Sequence, residues 1–190
     1  MLLMTMNTHY FLAIGLPEAA RQQIEDKKAM LQAAFPFKKW VHPQDYHLTL
    51  AFLGNAPEEQ RSELTEILDN ALNNTEKFTL NIDKVGVFGN EASPRIFWLG
   101  VDENPSLFKL QENVYAYCKQ AGFTLEKRPF HPHITLARKW AGQESFQADR
   151  LALESPFVEE MVSFDVSQFS LFQTHLDKEP KYEAIYTKKL

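Results

Sequence analysis

His47-Leu-Thr-Leu-Ala51 and His133-Ile-Thr-Leu-Ala137 decide how this chain is read. With six histidines and ten threonines in 190 residues, composition alone gives roughly 0.3 His-x-Thr triplets, so two copies with the same continuation point to duplication. In an extended strand, side chains alternate faces and rise about 3.3 Å per residue. Each His and Thr therefore project from one face roughly 7 Å apart, while Leu48, Leu50, Ile134 and Leu136 anchor the other. Each motif is an apolar strand with one polar face.

The surroundings repeat as well. From Gly15 and Gly100 the two histidines follow 32 and 33 residues later, and a long strand ending in Phe88 or Phe172 follows after a further 41 or 39. Phe11–Leu16 reads as a buried strand, Glu18 to Ala34 as a helix, the stretch containing Pro36 and Pro43 as a loop, and Tyr46 to Leu53 as a strand. A helix over Glu58–Leu72 and a long strand over Phe78–Phe88 complete the first unit. Arg95–Val101 returns beside that strand as a hairpin, and a helix over Pro105–Gln120 leads to the second motif. The pattern is a tandem duplication of roughly 85 residues. It predicts an α+β fold with two lobes related by a pseudo-two-fold axis, two antiparallel-rich sheets with helices outside, and a central cleft between the motifs. A single open α/β sheet is the competing architecture. Residues 1–190 read as one domain, with halves at about 9–90 and 95–175 and a final strand at about 181–187, because no Gly/Ser-rich linker or charge block divides them.

Composition narrows the function classes. A content of 44% hydrophobic and 24% charged residues supports a proper core, and no window approaches the roughly 18 apolar residues of a membrane span. Met1–Asn7 is apolar but lacks a basic flank and a small-residue cleavage site, so the expected location is cytoplasmic. Cys118 falls in a helical pattern and reads as a buried small hydrophobe. A net charge of -5 argues against non-specific capture of duplex nucleic acid, but leaves room for a protein that grips only an end.

Two imidazoles that titrate near neutrality divide acid-base chemistry between them, one accepting a proton and the other donating one. The hydroxyls of Thr49 and Thr135 suit non-bridging phosphate oxygens, and no nucleophile motif competes. The set fits in-line displacement at phosphorus. At the sixth motif position Phe52 is matched by Arg138, which adds a permanent charge and a bidentate fork. Strict alternation points Arg138 away from His133, so its use at the site requires a strand end or a bulge there.

Two other readings compete. His131 with His47 and His133 spells a three-histidine zinc site, although Pro132 disfavours regular strand geometry and the paired threonines go unexplained. The same cleft also serves a non-catalytic module that binds terminal or cyclic phosphates. His9, His42 and His175 have no partners at meaningful spacing. Lys38-Lys39, Lys127-Arg128 and Arg138-Lys139, with Trp40, Phe130 and Trp140 beside them, suit a single-stranded end as well as they suit ordinary surface.

His47-Leu-Thr-Leu-Ala-Phe-Leu-Gly54 and Arg128-Pro-Phe-His-Pro-His-Ile-Thr-Leu-Ala-Arg138, with Trp40-Val41 upstream and Arg95-Ile-Phe-Trp-Leu-Gly100 between, resemble the two-histidine (2H) phosphoesterase superfamily. They are most similar to its bacterial RNA 2′,3′-cyclic phosphodiesterase branch, also called 2′-5′ RNA ligase, over about residues 10–186. The resemblance implies hydrolysis of a terminal 2′,3′-cyclic phosphate to a 2′-phosphomonoester with no metal or other cofactor. RNA ends or small cyclic nucleotides would be the substrates, acted on by a monomer with no membrane or obligate protein partner. By position, His47 would be the proton donor to the leaving 3′ oxygen and His133 the proton acceptor that activates water, with Thr49, Thr135 and Arg138 holding the phosphate. Because the motifs are near twins, the residues themselves do not say which histidine is which. Asp45-Tyr46 stands where the family often has Asn and an aliphatic residue.

Overall fold

The computed structural model describes residues 8–157 and 159–190, so the Met1–Asn7 stretch, read above for a leader, lies outside the described residues. In chain order the elements are β1 (Tyr10–Gly15), α1 (Glu18–Ala34), β2 (Phe37–Trp40), a 3-10 turn (Pro43–Asp45), β3 (His47–Gly54), α2 (Glu58–Ala71), β4 (Phe78–Gly89), β5 (Pro94–Val101), α3 (Pro105–Gln120), β6 (His133–Trp140), α4 (Arg150–Leu153), β7 (Val162–Val166), β8 (Gln168–Thr174) and β9 (Tyr182–Lys189). Local chemistry sets the helix limits. Pro17 stands just before α1, where its fixed φ and missing N–H cost nothing, and Ala20, Ile24, Leu31 and Ala34 form the buried stripe. α3 begins where the Asn104 side chain accepts the N–H groups of Ser106 and Leu107 at 3.0 and 3.2 Å. Its apolar side, Leu107, Leu110, Val114 and Cys118, is buried.

The strands pair antiparallel in the order β7-β4-β5-β6-β3-β1-β8-β9, with β2 alongside β6. The two antiparallel halves, β7-β4-β5-β6 and β3-β1-β8-β9, join at a seam between β6 and β3 whose register pair is Leu48↔Ile134. Both side chains are fully buried. A hydrogen bond contributes about 0.5–1.5 kcal/mol net, whereas each buried Leu or Ile contributes about 1.5–3 kcal/mol. Packing, more than the ladder, therefore holds the halves together. One continuous apolar cluster includes Leu12, Leu48, Leu99 and Ile134 from both halves and Ile24, Leu64 and Val114 from the helices.

The spatial halves do not coincide with the sequence repeats. β4, from the first repeat, pairs with β5, and β8, from the second, pairs with β1. The repeats have traded strands in both directions. Two local expectations are corrected. The Pro36–Pro43 stretch, read as a loop, contains β2, because Phe37 and Trp40 bury their rings against Phe97 with centroids 5.2 and 6.0 Å apart. The strand ending at Phe172 is shorter than Phe78–Phe88, because the chain leaves the β4 edge after Val166 and resumes at Gln168 as β8, which pairs with β1 from Ser170 onward. Among the described residues, no helix is long and apolar enough to cross a membrane.

Candidate active site

Leu48 and Ile134 point into the core, so alternation sends His47 and Thr49, and His133 and Thr135, to the opposite face of the seam. The antiparallel register sets His47 beside Thr135 and Thr49 beside His133. The frame is the same on both sides. Gly15 on β1 lies opposite His47 and Gly100 on β5 lies opposite His133, so on the side away from the seam neither imidazole faces a cross-strand side chain. A Cβ on Gly100 would come within 2.6 Å of Lys84.

Both motif strands carry a bulge at the same place. In β3 the pairing steps from Ala13↔Thr49 to Leu12↔Ala51, skipping Leu50, and in β6 it steps from Trp98↔Thr135 to Phe97↔Ala137, skipping Leu136. Each bulge buries two consecutive apolar residues, Leu50-Ala51 and Leu136-Ala137, and thereby returns the next residue to the histidine face. Those next residues are Phe52 and Arg138. The parity obstacle to Arg138 is thus removed, and its guanidinium acts electrostatically on both histidines.

The imidazoles are held alike. The Nδ1–H of His47 donates to the Asp45 carbonyl at 2.7 Å, and that of His133 to the His131 carbonyl at 2.7 Å. A carbonyl only accepts, so the proton is fixed on Nδ1 and each Nε2 is left for the cleft. Aromatic rings pack against both. Phe11 lies 4.8 Å from His47 by centroids, Tyr182 meets it edge-on at 5.1 Å, and Phe88 meets His133 edge-on at 4.9 Å. Burial pushes both histidines below their ordinary pKa, and the Arg138 charge pushes in the same direction.

A cavity of about 560 Å³ opens from Thr49 and His133. Phe52, Phe88, Ile96 and Phe130 are among its walls, which suits an apolar ring attached to a group held at the histidines. Of the basic and aromatic residues singled out in the sequence, Arg128 and Phe130 line this cavity, Lys39 lies opposite Arg138 across β2 and β6, and Trp40 and Trp140 pack at the core. His131 is exposed, with its ring 6.4 Å from that of His133. Among the described residues no three His, Cys, Asp or Glu side chains converge as metal ligands, so the His47/His131/His133 set does not form the zinc site spelled by its spacing. His42 accepts the Gln44 N–H through Nδ1 at 3.2 Å, and His175 bonds Glu183 at 2.7 Å. Sequence reasoning missed the ring cage. Phe88 and Phe172 had served only as markers of the repeat, and Tyr182 lies on a strand with no counterpart motif.

A family model described as LigT-like phosphoesterase matches the chain twice, over residues 14–98 and 99–182. An RNA 2′,3′-cyclic phosphodiesterase from Bacillus subtilis (strain 168) is 42% identical over 178 residues, which cover 94% of this chain and 94% of that protein. One from Geobacillus stearothermophilus is likewise 42% identical over 94% of this chain, but the match spans only 56% of that protein's length. The crystal structure of Escherichia coli LigT in apo form is similar with a TM-score of 0.77 at 28% identity, covering 97% of this chain and 98% of that one. The same protein has been solved with 3′-AMP, with a TM-score of 0.76 at 26% identity over 97% of this chain and 98% of that one. With both repeats matched and the fold shared from end to end, the chain belongs to the LigT-like phosphoesterase family.

Proposed function

We propose that the protein is an RNA 2′,3′-cyclic phosphodiesterase that converts a terminal 2′,3′-cyclic phosphate into a 2′-phosphomonoester. The observation that carries this reading is the pair of imidazoles held in twin frames on one face of the β3–β6 seam, each with Nδ1–H tied to a carbonyl at 2.7 Å so that Nε2 is the ring nitrogen left for chemistry. Thr49, Thr135 and Arg138 donate to the non-bridging oxygens and hold phosphorus between the two rings. His133 Nε2 takes a proton from water as its oxygen attacks phosphorus. The bond from phosphorus to the 3′ oxygen breaks on the opposite side, and His47 Nε2–H protonates that oxygen. Each proton transfer typically contributes 10²- to 10⁴-fold.

The curated relatives bear the name of this activity. The E. coli protein takes 3′-AMP, a nucleotide whose phosphate sits on the ribose edge that a 2′,3′-cyclic phosphate spans. The cavity beside His133 has room for the attached nucleoside. With a 5′-hydroxyl in place of water as the nucleophile, the same steps join a 2′,3′-cyclic end to that hydroxyl through a 2′-5′ linkage and release the 3′-hydroxyl. We read the whole chain as one catalytic unit, acting on RNA ends or small cyclic nucleotides as a cytoplasmic monomer without a metal.

Product identification tests this reading. A 2′,3′-cyclic-phosphate-terminated oligoribonucleotide and a 2′,3′-cyclic mononucleotide are each expected to yield a 2′-phosphate in EDTA, with His47→Ala and His133→Ala folded but inactive. Binding without turnover would favour the phosphate-binding module instead. A 3′-phosphate product would reverse the leaving group.

A further inference from the structure

The twin histidine frames differ in one respect. Asp45 and His131 occupy equivalent stations, each two residues before its imidazole and each offering its carbonyl to Nδ1 at 2.7 Å. The side chains at those stations are unlike. Asp45 is 4% exposed, and its carboxylate accepts the Lys181 N–H at 3.0 and 2.9 Å through its two oxygens and the Tyr182 N–H at 3.1 Å. Main-chain donors fix the carboxylate without supplying a full opposing charge. The same clamp sets the start of β9, from which the Tyr182 ring meets His47 edge-on at 5.1 Å. His131, by contrast, is exposed.

We propose that Asp45 is a positioning residue that makes the two imidazoles unequal: it fixes a buried negative charge beside His47, where the other repeat sets only a second imidazole beside His133. Protonation then costs less on His47 than burial alone would make it, and His133, with no such charge beside it, is the ring left to accept a proton. The inference rests on the proposed sharing of proton transfer between these two residues, and it supplies the asymmetry that the near-identical motifs lack.

Every group facing the rings bears on it. At His47, burial is the largest influence and favours the neutral form, and His133 and Arg138 push the same way. The Asp45 carbonyl and charge oppose all three. Tyr182, whose phenol burial keeps protonated, adds no charge, and Lys181 meets Asp45 through its main-chain N–H. At His133, burial again leads, His131 and Arg138 both oppose protonation, and only the His131 carbonyl favours it. His47 therefore has a carboxylate to offset its burial and His133 has none.

Imidazole NMR titrations of the free protein, with kcat/KM against pH on a 2′,3′-cyclic mononucleotide, test the inference. Asp45→Asn is expected to lower the His47 midpoint by about 0.5–1 pH unit while leaving that of His133 in place, and to move the limb of the protonated group to lower pH. His131→Asp, on an exposed residue, is expected to raise the His133 midpoint by a similar amount. An unmoved His47 midpoint in a folded Asp45→Asn protein with a lowered Tm would make Asp45 a structural clamp and overturn the inference. Should Asp45→Asn not fold, His131→Asp decides, and an unmoved His133 midpoint refutes it. The NMR titration needs no turnover, so a wild-type protein that failed to hydrolyse cyclic phosphates would sink the proposed function and leave this measurement decisive on its own question.

Discussion

Replacing Arg138 with methionine removes a permanent positive charge that acts on both imidazoles while keeping an unbranched stem of similar reach. Arg138 is exposed and makes no ion pair with the described residues, so stability should stay within about 0.5 kcal/mol of wild type. The cost should fall on the phosphate. A hydrogen bond to a charged group contributes about 1.5–3 kcal/mol, which at about 1.36 kcal/mol per tenfold corresponds to a loss of roughly 10- to 150-fold in kcat/KM. The pH profile carries a second signature. The guanidinium disfavours protonation of both histidines, so its removal raises both midpoints, and both limbs of kcat/KM should move to higher pH. Initial rates on a 2′,3′-cyclic nucleotide between about pH 5 and 9 measure both effects. A variant with unaltered kcat/KM and unmoved limbs would show that the bulge at Leu136 does not deliver Arg138 to the site.

Acid should weaken the fold through the same histidines. Burial holds both below the ordinary value of 6.5, so above that pH their contribution to stability is complete. As pH falls below it, the unfolded chain binds protons that the folded one refuses, and stability is lost. Tm is expected to fall between about pH 7 and 5, less so in a His47→Asn/His133→Asn protein, and identical slopes for the two proteins would contradict the assignment. At the seam, Leu48→Ala and Ile134→Ala should each cost about 2–5 kcal/mol in urea unfolding and couple by about 0.5–3 kcal/mol in a double-mutant cycle. Strict additivity would mean that these side chains do not bind the halves to each other. Cys118 is fully buried, with its thiol pushed up to about 12, and should resist alkylation at neutral pH until the chain unfolds. Prompt labelling of the native protein would contradict its place in the core.

The motifs announced themselves because duplication preserved them in a setting where composition allows roughly 0.3 such triplets. Their strand character and polar face followed from alternation alone. What brings Arg138 round to that face did not, since a bulge at Leu136 inserts one buried apolar residue beside another, and Leu-Ala reads equally well in a regular strand. The exchange of β4 and β8 between halves was equally hidden. Hydrophobic pattern marks a strand but not its neighbour, and the break after Val166 lies between two runs that are both apolar and alternating. β2 is not legible in the sequence because it is only four residues long, lies between prolines at positions 36 and 43, and owes its pairing with β6 to aromatic packing against the distant Phe97. Asp45 was visible only as a departure from the family pattern. Its burial depends on the main chain of Lys181 and Tyr182, more than a hundred positions away in sequence.

The two-way loan of strands binds the repeats in mutual debt. A fragment ending after β4 would present that strand with no β5 to receive it and leave β1 with an empty edge, so each unit can be completed only by another like it. Two separate but identical units meeting this way would give a site with the same residue at every matched station, Phe52 twice or Arg138 twice. Joining them in one polypeptide lifts that enforced sameness and lets one side of the cleft specialise in holding charge and the other in greeting an aromatic ring.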